Sequence, residues 1–434
     1  MPKRCLLIVI AIVALVALVL PVRAAQPPNI VMIISDDQAW TDYSFMGHPH
    51  IKTPNIDRLA SQSLLFTRGY VPSSLCCPSL AAIMTGLYPH QNKVTSNDPP
   101  LPKGMANREF QKSKAFTDGR EVMNKHMDSV PTLARELVKN GYLALQTGKW
   151  WQGHYSHGGF THGMTKGGRH GDEGLDIGRK TMQPIYDFIG EAKKAGKPFF
   201  VWYAPMMPHD PHNPPERLLA KYRDKTPSEH VAKYWAMCEW FDESIGDLLK
   251  NLEAQGVADN TIVTYVSDNG WIQDPDSQRY AAKSKQSQYD GGLRSPIMVR
   301  WPAKVKPQKS DALAQSIDFL PTLLNAAGVK PPAGLPGINL LDAQAVKSRN
   351  TLFGECFTHN SMDLHNPAAS LRWRWMIEGD WKLIVPAPQN ESDGRLELYN
   401  LAADKFEEKN LADAEKARVE SLRKKLDAWW PGKL

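Results

Sequence analysis

Two apolar runs of strand length end in the same way, and that repetition constrains the fold more than any other feature. Asn29-Ile30-Val31-Met32-Ile33-Ile34 is continuous and rich in β-branched residues, and it stops at Ser35-Asp36-Asp37. A run without polar alternation suits a strand buried on both faces, as at the centre of a parallel sheet. Far along the chain, Asn260 to Ser267 repeats the pattern and stops at Asp268-Asn269-Gly270. In open α/β sheets ligands collect beyond the carboxyl ends of strands, and adjacent acids there repel unless a cation or proton compensates. A turn or a helix cap needs only one Asp. Two strands ending in paired oxygen ligands therefore predict one oxygen-lined site for a hard divalent cation.

The chain between these runs reads as repeated α/β units. Leu64–Val71, Tyr142–Leu145, Pro198–Ala204 and Ile297–Val299 have strand character. Pro54–Ser63, Pro131–Asn140, Met182–Ala195, Ser228–Leu252 and Asp318–Ala327 have helical periodicity. His90 to Lys125 is rich in Pro, Asn, Lys and Gly and reads as an elaborate loop. The Pro331–Gly337 cluster reads as a linker, after which Arg374–Ile377, Trp381–Val385 and Leu396–Tyr399 predict short antiparallel strands and Glu415–Trp430 a closing helix. The expected architecture is α/β: a large central, mostly parallel sheet flanked by helices (residues 27–340), with a smaller C-terminal α+β subdomain (350–434).

Leu75-Cys76-Cys77-Pro78-Ser79-Leu80 places two cysteines at the mouth of a buried helix that starts at Pro78-Ser79, because Pro is favoured at the first helical position and Leu80, Ile83 and Met84 have helical spacing. Free amide donors at such a terminus would lower a thiol pKa or stabilise an oxyanion at Cys76. Two packed cysteines are the plainer alternative. Lys149 follows a strand in Gly148-Lys149-Trp150-Trp151, and His209 lies in a proline-rich loop beyond another.

Met1 to Ala24 carries early basic residues, an apolar segment from Leu6 to Leu20 and a small-residue cleavage pattern, which reads as a signal peptide (residues 1–24) and predicts a periplasmic or secreted protein. That segment is shorter than the roughly 20 residues that span a bilayer, so no membrane span is expected. Without Cys5, only Cys76, Cys77, Cys238 and Cys356 remain, too few for a disulfide framework. The net charge of +6 is spread without basic arms or runs, which argues against nucleic acid as a partner.

With these residues in place, the chain resembles the type I sulfatases of the alkaline-phosphatase superfamily over nearly its whole length. Asn29–Asp37, Thr53–Leu59, Cys76–Gly86, Gly148–Trp150, Ser267–Gly270, Tyr289–Pro296, Trp381-Lys382 and Glu397–Asn400 match that family's motifs in order. The resemblance implies that Cys76 is oxidised to formylglycine by a formylglycine-generating enzyme, and that its hydrate is the nucleophile. It further implies one calcium ion held by Asp36, Asp37, Asp268, Asn269 and the modified Cys76, with Lys149, Lys285 and His209 on the sulfate or its leaving oxygen. Two positions depart from the family pattern: Leu80 stands in place of an Arg, and Trp151 in place of a His. His154 or His157 is the expected substitute for that His, and His154 is therefore counted as a substrate-binding candidate.

The expected function is hydrolysis of a sulfate ester on a small molecule or glycan. A phosphodiesterase or phosphonate monoester hydrolase on the same scaffold is the first alternative, and a catalytically weakened protein that binds sulfated glycans is the second. Trp40, Trp150, Trp151 and Trp271 lie near the motifs and are placed to stack on sugar faces, which favours a sulfated carbohydrate.

Overall fold

The computed structural model describes residues 26–433. In chain order its first eight strands are β1 (Asn29–Ser35), β2 (Leu64–Tyr70), β3 (Leu143–Gly148), β4 (His162–Gly163), β5 (Phe199–Ala204), β6 (Thr261–Ser267), β7 (Ile297–Arg300) and β8 (Gln308–Gln315). They form one sheet in the order β4-β3-β5-β1-β6-β7-β2-β8. All pairings are parallel except those of β7, which runs against β6 and β2. The two apolar runs with acid ends are thus neighbours, with Ser35 opposite Ser267 in register.

Alternation along β1 explains why it carries no polar residue between Asn29 and Ser35. Ile30, Met32 and Ile34 enter a core on one face that also holds the helices Cys76–Thr85, Leu133–Lys139 and Phe319–Ala326. Val31 and Ile33 enter a second core on the other face, against Pro54–Ser61, Gln183–Lys194 and the 26-residue helix Glu229–Ala254. At roughly 1.5–3 kcal/mol for each fully buried aliphatic side chain, the two faces together hold the strand rigidly in place. Rigidity matters because the acids at its end inherit its position.

A second sheet, β9 (Thr351–Phe357), β10 (Leu371–Glu378), β11 (Trp381–Pro386) and β12 (Glu397–Asn400), is antiparallel in the order β12-β11-β10-β9, with the helix Lys416–Trp429 packed on it. Its other face meets Tyr70, Leu293 and Leu313 of the first sheet's side. At this junction the buried Lys382 ammonium lies 2.8 Å from Asp290 Oδ1 and 2.8 Å from Glu407 Oε1. Tyr70 donates its hydroxyl to Asp290 Oδ2 at 3.0 Å.

Several expectations need correction. The stretch from His90 to Lys125 is not all loop: Lys114–His126 is a 13-residue helix. Its buried residues Phe116, Arg120 and Met123 share one face, but Arg120 in the middle of that face hides the apolar stripe. β8 and β9 also lie outside the expected strands. β8 is an edge strand, where one partner and a mostly polar, half-exposed surface suffice, so Gln308-Lys309-Ser310-Asp311 lacks an apolar signature. The Pro331–Gly337 stretch is irregular, as its composition predicts. The expected signal peptide lies outside the described residues. Among the described residues no helix is long and apolar enough to cross a membrane, and all four cysteines are free and buried.

Replacing Lys382 by Met leaves Asp290 and Glu407 buried without a cation, and urea unfolding should show a loss of about 3–5 kcal/mol. The same change at Lys114, whose pairing with Asp118 is solvent-exposed, should cost under about 0.5 kcal/mol. Equal effects at the two positions would show that the junction does not depend on the buried ion cluster.

Candidate active site

Adjacent strand ends deliver most of the site. Asp36 follows β1, Asp268 follows β6, Lys149 follows β3, and the loop Pro205–His209 follows β5. Main-chain bonds lock these ends together: Asp268 N donates to Ser35 O (2.8 Å), Asp36 N to Met207 O (3.0 Å) and Lys149 N to Ala204 O (2.6 Å). Asp37 has φ +65°, a left-handed conformation that Asp tolerates better than most residues. The turn is held by Asp37 N donating to Asp268 Oδ1 at 3.1 Å and by Asn269 Nδ2 donating to Asp37 Oδ1 at 2.6 Å.

Three buried carboxylates therefore meet two buried ammonium groups. Lys149 Nζ is 2.5 Å from Asp36 Oδ1 and 3.6 Å from Asp268 Oδ2, and Lys285 Nζ is 2.6 Å from Asp37 Oδ2. Burial alone would raise Asp37, but the charges of Lys285, His209 and Lys149 outweigh it and hold this carboxyl below its ordinary value. Burial and the neighbouring Asp36 charge push Asp268 up to about 7. Asp36 Oδ2, Asp268 Oδ2 and Asn269 Oδ1 are buried without a hydrogen-bond partner. Unpaired buried oxygens are costly unless something positive meets them. Ligand atoms of Asp36, Asp37 and Asp268 lie within 4.8 Å of one another, and so do those of Asp36, Cys76 and His209. An all-oxygen set of this charge fits a hard divalent cation such as calcium.

Cys76 is the first residue of the helix Cys76–Thr85, with Pro78 third rather than first, where its missing N–H is still harmless. Burial pushes its thiol up to about 12 against the opposing charges of Lys149 and Lys285. The expected lowering of the thiol pKa is not found, because burial outweighs the charges of Lys149 and Lys285. Cys77 N donates to Asn97 Oδ1 at 3.0 Å, fixing the start of the helix.

His209 is held through Nδ1, which lies 2.7 Å from Asp210 O and 2.9 Å from Asp210 Oδ1. Its Nε2 is 3.5 Å from Asp37 Oδ2. Burial disfavours the imidazolium, but the carboxylate charges, that of Asp36 foremost, raise His209 above its ordinary value. A cavity of about 700 Å³ opens over these groups, walled by Cys76, His209 and Lys285 together with Trp151, Trp271, Arg169 and His170.

Residues 28–329 match the family model described as Sulfatase, and residues 280–429 match that described as N-sulphoglucosamine sulphohydrolase, C-terminal. The chain belongs to the sulfatase family. Human N-acetylgalactosamine-6-sulfatase is 30% identical over 363 residues, 73% of this chain and 66% of that protein, so the chain spans just under two thirds of that relative. N-acetylgalactosamine-6-O-sulfatase of Bacteroides thetaiotaomicron is 28% identical over 502 aligned positions, covering 93% of each chain. A solved structure in complex with its substrate D-glucosamine-2-N,6-O-disulfate superposes with a TM-score of 0.70 at 19% identity, covering 94% of this chain and all of that one, which establishes the shared fold.

In this sulfatase-family chain the structure gathers Asp36, Asp37, Cys76, Lys149, His209, Asp268, Asn269 and Lys285, but not His154. The His154 ring rests on Tyr155 at 4.2 Å, with Nδ1 2.8 Å from Ser156 Oγ, and His157 pairs with Asp128. Gly153, at φ +70° against Asn124, turns the chain away after Gln152 and carries both histidines off the cavity. Trp40 and Trp150 are corrected too: Trp40 lies beneath Arg294, and Trp150 is core between Phe160 and Trp202. Leu80 is wholly buried in the core. Asn97, Arg169, His170 and His359 reach the cavity unexpectedly. The only signal for the middle pair was an Arg-His dipeptide in the glycine-rich stretch 163–174.

Calcium should raise the thermal midpoint of the wild type. Asp268→Asn should lose most of that rise while being no less stable than wild type in chelator, since it removes one of three crowded acids. A calcium response unchanged in Asp268→Asn, followed by calorimetry, would place the ion elsewhere.

Proposed function

We propose that the protein is an exported sulfatase that hydrolyses a sulfate ester on a carbohydrate, using Cys76 matured to formylglycine by a formylglycine-generating enzyme. The observation that carries this reading is the meeting of Cys76, at a helix N-terminus, with three buried oxygens that lack a hydrogen bond and with two buried lysines. Family membership supports the reaction class, and the N-acetylgalactosamine-6-sulfatases among the relatives support a sulfated sugar. Trp151 and Trp271 on the cavity wall supply rings of the kind that stack on sugar faces.

Asp36, Asp37, Asp268 and Asn269, with residue 76, would hold the calcium ion, which when bound supplies a fixed positive charge for the sulfuryl oxygens. The formylglycine hydrate, when formed, supplies the attacking hydroxyl and a second hydroxyl whose loss of a proton lets sulfate depart. Lys149 and Lys285 stay cationic because their carboxylate partners outweigh burial, so both are poised to meet charge that grows on sulfuryl oxygens. His209 is oriented by Asp210 through Nδ1, leaving Nε2 directed to the acid cluster and the cavity. Its raised pKa keeps a proton available for the departing alkoxide.

Co-expression with a formylglycine-generating enzyme should convert Cys76, seen by mass spectrometry as loss of the sulfur and two hydrogens and gain of one oxygen in its peptide. Cys76→Ala should abolish sulfate release from a sulfated sugar, by on the order of 10⁴-fold or more, as loss of a nucleophile does. His209→Ala should lower kcat by roughly 10²- to 10⁴-fold on a poor leaving group and by less on an aryl sulfate, whose phenolate needs no acid. An unconverted thiol together with tight sulfated-glycan binding would instead support the binding-protein reading.

A further inference from the structure

The imidazole that the family pattern places after Gly-Lys-Trp is absent here, since position 151 is Trp. The structure brings another imidazole to the same cavity. His170 lies in the glycine-rich loop following β4, and this loop is seated on the end of β3: Trp150 N donates to His170 O at 3.1 Å. Gly171, at φ +133°, packs so closely that a Cβ there would stand 2.4 Å from Gly148 O. His170 is therefore anchored to the strand end that presents Lys149.

Its tautomer follows from its partner. Arg169 Nη1 lies 2.6 Å from His170 Nε2, and a guanidinium has only donors, so Nε2 must accept and the ring proton must sit on Nδ1. Arg169 is itself immobilised. It forms a fork with the wholly buried Asp98, Nε to Oδ1 at 2.7 Å and Nη2 to Oδ2 at 2.6 Å, and its guanidinium covers the Trp151 ring at 4.5 Å. Trp151 also buttresses the His170 ring edge-on at 4.5 Å. Asp98 offsets the Arg169 charge, so this corner contributes an aimed N–H group rather than another cation. Burial and the Arg169 charge push His170 down to about 2, in keeping with a neutral ring. Among the described residues nothing bonds Nδ1, the ring lies on the cavity wall with Cys76, and its centre is 6.3 Å from that of His209.

We propose that His170, through Nδ1–H, is the neutral donor to the substrate's sulfuryl group, and that Asp98, Arg169 and Trp151 are positioning residues that fix its tautomer and aim. This rests on the sulfatase reading for the identity of the anion. It also gives Trp151 a purpose: its face carries the Arg169 guanidinium, and its ring meets His170 edge-on.

Long-range ¹H–¹⁵N spectra of the full chain labelled at histidine, with His170→Asn identifying the signal, test the tautomer directly. The expected pattern is a protonated Nδ1 and a bare Nε2, with the Nδ1–H signal shifting on addition of inorganic sulfate. In kinetics with a sulfate ester, His170→Ala should lower kcat/KM by roughly 10- to 100-fold, the range for a lost hydrogen bond to a charged group. His170→Asn, which keeps an N–H near the same place, should recover part of that loss, and Arg169→Met should scramble the tautomer and act like His170→Ala. A proton on Nε2, or wild-type kcat/KM in a normally folded His170→Ala, would overturn the proposal. A wild type that shows the expected tautomer and sulfate shift but hydrolyses no sulfate ester would sink the hydrolase reading while still supporting the anion donor.

Discussion

Everything in the site follows from the crowding of like charges at one sheet edge. Asp36, Asp37 and Asp268 are each at most 1% exposed. Two unit charges about 4 Å apart interact by about 4 kcal/mol at the effective dielectric of a protein surface, and by more when buried. Lys149 and Lys285 offset part of that repulsion, but Asp268 is still driven toward protonation and three oxygens stay unpaired. Such a cluster persists only because β1 and β6 are clamped on both faces by apolar packing and cannot retreat from each other. Stability elsewhere in the fold is what holds the acids together, and their shortage of positive charge is what makes the place a site.

That division between packing and site explains what could be read in the sequence. The central strands were legible because both faces are buried, which forces a continuous apolar run, and because each run ends abruptly in acids. Lys149 and His209 could be placed just past such runs, but position alone did not mark them as site residues, and only the family resemblance did. β8 was not, since an edge strand with a half-exposed surface carries no apolar signature. The helix Lys114–His126 was hidden by a charge on its buried face: Arg120 turns inward to donate to Asn97 O at 2.9 Å and to the Trp151 carbonyl. Sequence proximity pointed to His154, and a single glycine turn defeats that inference. His170 lies further along, in a loop without periodicity, and only tertiary contact with the end of β3 brings it in.

The departures at positions 80 and 151 look different once the surroundings are known. Leu80 is a residue of the Cys76 helix itself and points into the core, so the polar contact expected from that position has no side chain to make it. The wall behind Cys76 and Cys77 is nevertheless polar: Gln152 Nε2 donates to Cys77 O at 3.3 Å, Asn97 accepts from Cys77 N, and Arg120 lies beside Trp151 at 5.5 Å from its ring. Arg169 covers the Trp151 ring and pairs with Asp98. The polar groups around Cys76 thus stand on neighbouring loops, beside the acid cluster and its two lysines.

The most direct test of the central claim is anomalous diffraction from crystals of the matured protein grown with calcium. The account predicts one calcium peak enclosed by oxygens of Asp36, Asp37, Asp268 and Asn269, touching the oxidised side chain at position 76. It is contradicted if the cluster holds no ion under those conditions and Lys149 and Lys285 remain closed on Asp36 and Asp37 beside an unmodified thiol.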